Sequence, residues 1–302
     1  MGAILMKVSA FVLIIAMSYL LKRGGFFKET DFKLISKIVL DVTLPCAVIS
    51  SFSRITVDSS LFWLVAVGIV CNLVTIGIGY LVGIGRSRSV KAFNMINYSG
   101  YNIGCFSMPY IQSFLGPVGV VATCLFDAGN SVLCTGATYS MAAAVARTGE
   151  RSTVRVFLRR MFSSLPMDVY ILLVILSALQ VHIPAPVVAF TDVVGGANAF
   201  LAMMMIGIGF KLEFSRNQLL RIGSILLHRY LIAAIMAWCF FHYAPFDYEV
   251  RKVLALISFA PVSAVCAIFT ARCHGDVSLS CTINSLSIII SICLMTALMI
   301  DL

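Results

Sequence analysis

Residues 94–116 read NMINYSGYNIGCFSMPYIQSFLG. The stretch is apolar and long enough to cross a bilayer, which takes about 20 helical residues. Yet it carries Asn97, Gly100, Asn102, Gly104, Ser107 and Pro109. Proline lacks a backbone donor and clashes with the preceding turn, so the spacing predicts a break or kink at Pro109. Backbone groups freed in this way cannot face lipid, and must be buried in protein or line a watered cavity. Residues 250–272 repeat the design around Pro261, in SFAPVSAVCA. The two prolines stand 152 residues apart, half of the 302-residue chain. Paired interrupted spans at matching places in two halves point to a transporter's midplane site.

Working outward, 60% of the residues are hydrophobic, 12% are charged and mean hydropathy is +1.00. Soluble domains carry about 25% charge, so the chain reads as an all-α polytopic membrane protein. Ten helical spans are expected: 3–21, 34–52, 61–84, 94–114, 118–146, 166–182, 187–210, 221–243, 250–271 and 277–300. Spans four and five are separated by a tight turn at Gly116–Pro117. The first span reads as a membrane helix rather than a signal peptide, because Lys22–Arg23 follows its apolar run.

The net charge of +9 is distributed as topology, not as a nucleic-acid patch. Loops after odd-numbered spans hold sixteen of the basic residues: Lys22, Arg23, Lys28, Lys33, Arg86, Arg88, Lys91, Arg147, Arg151, Arg155, Arg159, Arg160, Lys211, Arg216, Arg221 and Arg272. The opposite side holds Arg54, Arg251 and Lys252. By the positive-inside rule the odd loops are cytoplasmic and both termini lie outside a cell membrane. Residues 147–165 then form a basic cytoplasmic linker that touches lipid headgroups. It divides a first five-span repeat, 1–146, from a second, 166–302. Five spans per repeat make the second inverted relative to the first.

Three motifs in order carry a family resemblance. ISKIVLDVTLPCAVISSF (35–52) places Leu-Pro within span 2; Asn102 stands seven residues before Pro109; APVSAVCAIFTARCHGDVSLSCTINSLS (260–287) joins Pro261 to Asp276 by a polar turn. The chain resembles the auxin efflux carrier family, which includes plant carriers and bacterial organic-acid permeases. Its linker has the length seen in compact bacterial members, and span 7 lacks the family's usual proline. The resemblance implies ten transmembrane helices in two inverted five-helix repeats, with broken helices 4 and 9 crossing at mid-membrane. It also implies motion of that crossover domain against a scaffold, often within a homodimer.

Crossing broken helices supply helix N-termini, each with about half a positive charge, which makes an anion site without a buried arginine. The expected function is a secondary transporter of a small organic anion such as a carboxylate. Its donors are expected from Asn102, Ser107, Ser263 and the backbone near Pro109 and Pro261. Asp127, in LFDAGNSV of span 5, has Asn130 one turn on and on its own face. An intramembrane acid is a functional candidate by default, so the pair is expected to couple protons or to brace broken helix 4. Asn284 and Ser287 occupy the comparable place in the second repeat. Lys37 and Asp41 are expected to pair, Asp168 and Asp192 to cap helices, and Lys7 to snorkel. Arg229 lies well inside span 8 without an evident partner.

The ten scattered cysteines and four histidines show no metal-ligand spacing, so no metal or cofactor is expected. No catalytic motif such as H-E-x-x-H is present, which argues against an intramembrane enzyme. The alternative is a sodium- or proton-coupled cation or bile-acid-type carrier of the same crossover architecture. Such carriers use acidic residues at the crossing, whereas here every Glu (29, 150, 213, 249) lies in a loop or at a span end.

Overall fold

A computed structural model describes residues 1–148, 164–212 and 218–302. Among these residues the chain is all-helical. Its helices are α1 (Gly2–Arg23), α2 (Glu29–Ile38), α3 (Leu44–Phe52), α4 (Trp63–Val82), α5 (Arg88–Tyr98), α6 (Met108–Val132) and α7 (Thr138–Ala146). After the linker come α8 (Leu165–Ala178), α9 (Ala185–Gly196), α10 (Asn198–Gly209), α11 (Leu219–Tyr243), α12 (Tyr248–Ser258), α13 (Val265–Arg272) and α14 (Val277–Asp301). Most of the basic linker expected at 147–165 lies outside the described residues.

Among the described residues six helical stretches are long and apolar enough to cross a membrane: Gly2–Arg23, Ser59–Val82, Ile103–Val132, Ala185–Gly209, Leu219–Tyr243 and Val277–Asp301. Of the other expected spans, 166–182 is a single shorter apolar helix, Leu165–Ala178, and 250–271 is divided between Tyr248–Ser258 and Val265–Arg272. Burial runs opposite to that of a water-soluble protein. Leu13, Val193 and Leu220 are exposed at 67%, 79% and 89%, while Asn72, Asn97, Asn198, Ser280 and Ser287 are wholly buried. Apolar surface on this scale requires apolar surroundings. The molecule is a multi-pass membrane-embedded helical protein.

Two prolines are accommodated by π-turns. Val39–Thr43 precedes Pro45 and Ile103–Ser107 precedes Pro109. A proline ring collides with the carbonyl four residues back. Widening to i→i−5 bonds, as in Leu44 N–H to Val39 O and Met108 N–H to Ile103 O, relieves the collision.

Inside α6 the chain reverses at Gly116, whose φ is +61°. Eight residues of continuous helix would separate two side chains by about 12 Å. A Cβ on Gly119 would instead lie 2.9 Å from Ile111 Cγ2. The expected Gly116–Pro117 turn is therefore present, with Pro117 opening the second limb.

Packing links the parts of the chain reciprocally. α1 lies on α10, and α8 lies on α3; α4 lies on α5, and α11 lies on α12. α4 and α6 approach to backbone contact. A Cβ on Gly129 would fall 2.0 Å from Val65 O, and one on Gly68 would fall 2.2 Å from Phe126 O. Glycine is required on both sides of that contact.

Candidate functional site

The predicted break in span 4 is displaced. The helix ends at Tyr98, and residues 99–102 are non-helical, with Gly100 at φ +74°. Pro109 instead lies within the following limb, directly after the π-turn Ile103–Ser107 that accommodates its ring. Glycine, not proline, therefore marks the break, because only it takes the positive φ without strain. In span 9 the break falls where Pro261 predicted it, between Ser258 and Val265.

The two breaks pair with one another. Asn102 N–H donates to Pro261 O at 2.9 Å and Ser263 N–H to Gly100 O at 3.1 Å. These bonds make an antiparallel bridge between Tyr101 and Val262. In such a bridge the facing residues' own amides and carbonyls point outward, and buried ones must find partners. Asn130 serves Tyr101: its Oδ1 accepts from Tyr101 N–H at 3.2 Å and its Nδ2 donates to Tyr101 O at 2.9 Å. The helix α14 serves Val262: Ser287 Oγ accepts from Val262 N–H at 3.0 Å, and Asn284 Nδ2 donates to Val262 O. Asn72 adds an acceptor for Gly100 N–H at 3.0 Å and a donor to Asn130 Oδ1 at 3.1 Å.

Arg229 supplies what the sequence left open. It is 3% exposed. Its Nη1 donates to Tyr98 O and Ser99 O; its Nη2 donates to Gly100 O, Ala260 O and Pro261 O, all within 3.4 Å. Its guanidinium also lies over the Tyr101 ring, 5.3 Å from the centroid. Helix C-termini leave carbonyls unsatisfied and partially negative. One arginine from α11 therefore serves the last carbonyl of α5 and the backbone carbonyls of both breaks. The signal for this was present in the sequence: a lone arginine deep in an apolar span must have an internal partner. Which partner it has depends on where α11 packs.

The remaining candidates separate into committed and uncommitted groups. Asp127 is 6% exposed and committed, accepting from Asn130 Nδ2 at 2.8 Å and from Tyr170 Oη of α8 at 3.2 Å. The expected Asp127–Asn130 pairing is present. Asn130 then joins Asp127 to the backbone of the break. Ser263 is half-buried beside Gly100 and Cys134. By contrast, Asn102 is buried at residue level and makes no side-chain cap bond, and Ser107 Oγ, like Ser36 Oγ, Thr138 Oγ1, Thr148 Oγ1 and Arg251 Nε, is buried without a partner among the described residues. Ser107 N–H donates to Asn102 O at 3.2 Å, which holds these two residues on adjacent turns. The amides of residues 103–106, the first turn of that limb, have no acceptor in their own helix.

Other charges are corrected or located. Asp192 is no cap: it lies within α9 and pairs with Arg54 Nη2 at 2.7 Å and with Ser50 Oγ. No ion pair joins Lys37 to Asp41. Asp168 falls in the first turn of α8 without a side-chain cap bond. Lys7 donates to Ser113 O at 2.8 Å. Glu29 and Lys211 pair at 2.8 Å on the basic side, and the Lys211 hydrogen bond and charge hold the Glu29 carboxyl below its ordinary value.

No protein-family model and no curated protein matches the chain.

Proposed function

We propose that the chain is a secondary active transporter of a small organic anion, a carboxylate, taken up at the paired breaks. One observation carries the reading: beside the double helix break Ser107 Oγ is buried without a partner among the described residues, and the neighbouring Asn102 side chain makes no cap bond. An uncommitted amide and hydroxyl next to first-turn amides that have no acceptor in their own helix form a receptor for an anion. Asn102, Ser107 and the backbone following Asn102 bind the carboxylate. Pro109 and Pro261 shape the limbs, and Ser263 borders the second break.

The same reading takes the architecture as ten spans in two inverted repeats, a fold of the auxin efflux carrier type, with spans 4 and 9 crossing. The reciprocal packing of α1 on α10 with α8 on α3, and of α4 on α5 with α11 on α12, is what such a repeat requires. So is the exchange of Asn130 on Tyr101 for Asn284 and Ser287 on Val262. Loop contacts agree with the parity of ten crossings. Glu29 meets Lys211 and Gln218 meets Asp276 on the basic side, while Tyr248 meets Leu302 on the other. With the basic side taken as cytoplasmic, this reading has both termini outside.

In this reading Asp127 couples protons to transport. Its carboxylate links Tyr170 on α8 to Asn130, and Asn130 holds the Tyr101 backbone, so a change in its charge bears directly on the break. A cation carrier is disfavoured because Arg229 adds a buried positive charge against both breaks.

The test is charge movement in proteoliposomes of the full chain, challenged with mono- and dicarboxylates with and without a pH gradient. A carboxylate-specific current that Asn102→Ala abolishes is expected. A response to Na⁺ alone, with none to any carboxylate, would overturn the assignment.

A further inference from the structure

A separate cavity of about 250 Å³ lies away from the paired breaks, on the face that carries Arg54. It is bounded by the end of α3 (Ser50, Ser51, Arg54), by Gln112 and the Gly116 reversal of α6, and by Asp192 and Gly195–Gly196 of α9. Its walls therefore come from three elements distant in sequence. The cavity is open to the outside and has room for a small metabolite.

Its charges are one of each sign. Arg54 spends one N–H on Asp192 Oδ1, at 2.7 Å, of the five that a guanidinium carries. Asp192 Oδ1 also takes the Ser50 hydroxyl, while its Oδ2 accepts no hydrogen bond among the described residues. The pair is open, with side chains 53% and 36% exposed, and pairs this exposed contribute little, so a ligand can enter between them at small cost. Two helical limbs, α3 and the first limb of α6, end at this cavity with their carbonyl poles, which favours a cation near Asp192. A simple anion would face the Asp192 carboxylate and a simple cation the Arg54 guanidinium. A zwitterion satisfies both.

We propose that this cavity binds a small zwitterion of the α-amino acid class, its carboxylate received by Arg54 and its ammonium by Asp192. The site is distinct from the paired breaks and does not depend on the assignment made there.

Calorimetric titration of the purified full-length protein tests this, with glycine, L-alanine and L-serine as probes. Propionate and propylamine each carry one charge only. Small amino acids are expected to bind, and each single-charge analogue roughly tenfold or more weakly, through loss of one charge-assisted contact. Arg54→Gln and Asp192→Asn should each weaken binding by a similar factor. Gly196→Leu decides the matter should either charge variant fail to fold. Gly196 borders the cavity and a Cβ there meets no atom within 4 Å, so a bulky side chain is introduced at its edge while both charges stay in place. Loss of binding in Gly196→Leu is expected. Transport lost in Asn102→Ala with amino-acid binding retained would keep the two sites separate. Absence of binding by all three amino acids, equal affinity for propionate and alanine, or binding that survives Gly196→Leu would each overturn the proposal.

Discussion

Tyr101 and Val262 face each other across a single antiparallel bridge in a protein otherwise made of helices. Neither residue keeps a free backbone group. Asn130 takes both from Tyr101, and Ser287 with Asn284 takes both from Val262. The bridge converts two broken helices into one rigid junction, and Arg229 closes the helix ends that the breaks expose.

Arg229 should be indispensable for stability. Removing it strands the carbonyls of Tyr98 and Ala260 in the interior, at about 1–3 kcal/mol for each lost partner. Arg229→Leu is expected to lose on the order of 3–5 kcal/mol. Arg229→Lys should recover only part of it, because an ammonium cannot fork across two helix ends. Thermal unfolding by size-exclusion fluorescence reads this; a melting temperature unchanged in Arg229→Leu would refute the capping role.

Asn102 and Asn130 should behave oppositely. The Asn130 amide is committed to Tyr101, Asp127 and Asn72, so Asn130→Ala should lower stability by about 2 kcal/mol or more. The Asn102 amide has no such bonds, so Asn102→Ala should keep wild-type melting while losing carboxylate transport. Wild-type transport kinetics in Asn102→Ala would remove it from the site.

Asp127→Asn should abolish the pH-dependent component of transport, since the amide carries no exchangeable charge. Tyr170→Phe removes one of the carboxylate's two partners and should shift the pH profile without abolishing transport. Uptake driven by a pH gradient that is unchanged in Asp127→Asn would leave Asp127 with bracing alone.

Gly129→Ala should destabilise the contact of α4 with α6 by about 1–3 kcal/mol, because the new methyl would meet Val65 O. Gly77, also on α4, has open space at its Cβ position. Gly77→Ala should be neutral or stabilising by up to ~1 kcal/mol. Equal melting of the two variants would contradict the close approach.

The Glu29–Lys211 pair predicts a direction in acid. A carboxyl held below its ordinary value of 4.5 stabilises the folded state above that value. The contribution fades as the pH falls through the lower folded value. Unfolding measured against pH should show this loss in wild type, reduced in Glu29→Gln and by added salt.

The sequence by itself determined the solvent and the character of the fold. Its apolar runs could be buried only by lipid. It also located the second break, because Pro261 lies where no helix continues. The first break was misplaced by seven residues. Proline is visible in a sequence, whereas a π-turn that absorbs it, and a glycine that takes up the strain, depend on what packs around them. Only the tertiary structure brought Arg229 to carbonyls some 130 residues away in the chain and about 30 residues on in the next span. It likewise turned Asp192 from an expected cap into the partner of Arg54, 138 residues distant. Local spacing reports which groups need partners; which partners they find is set by how the helices meet.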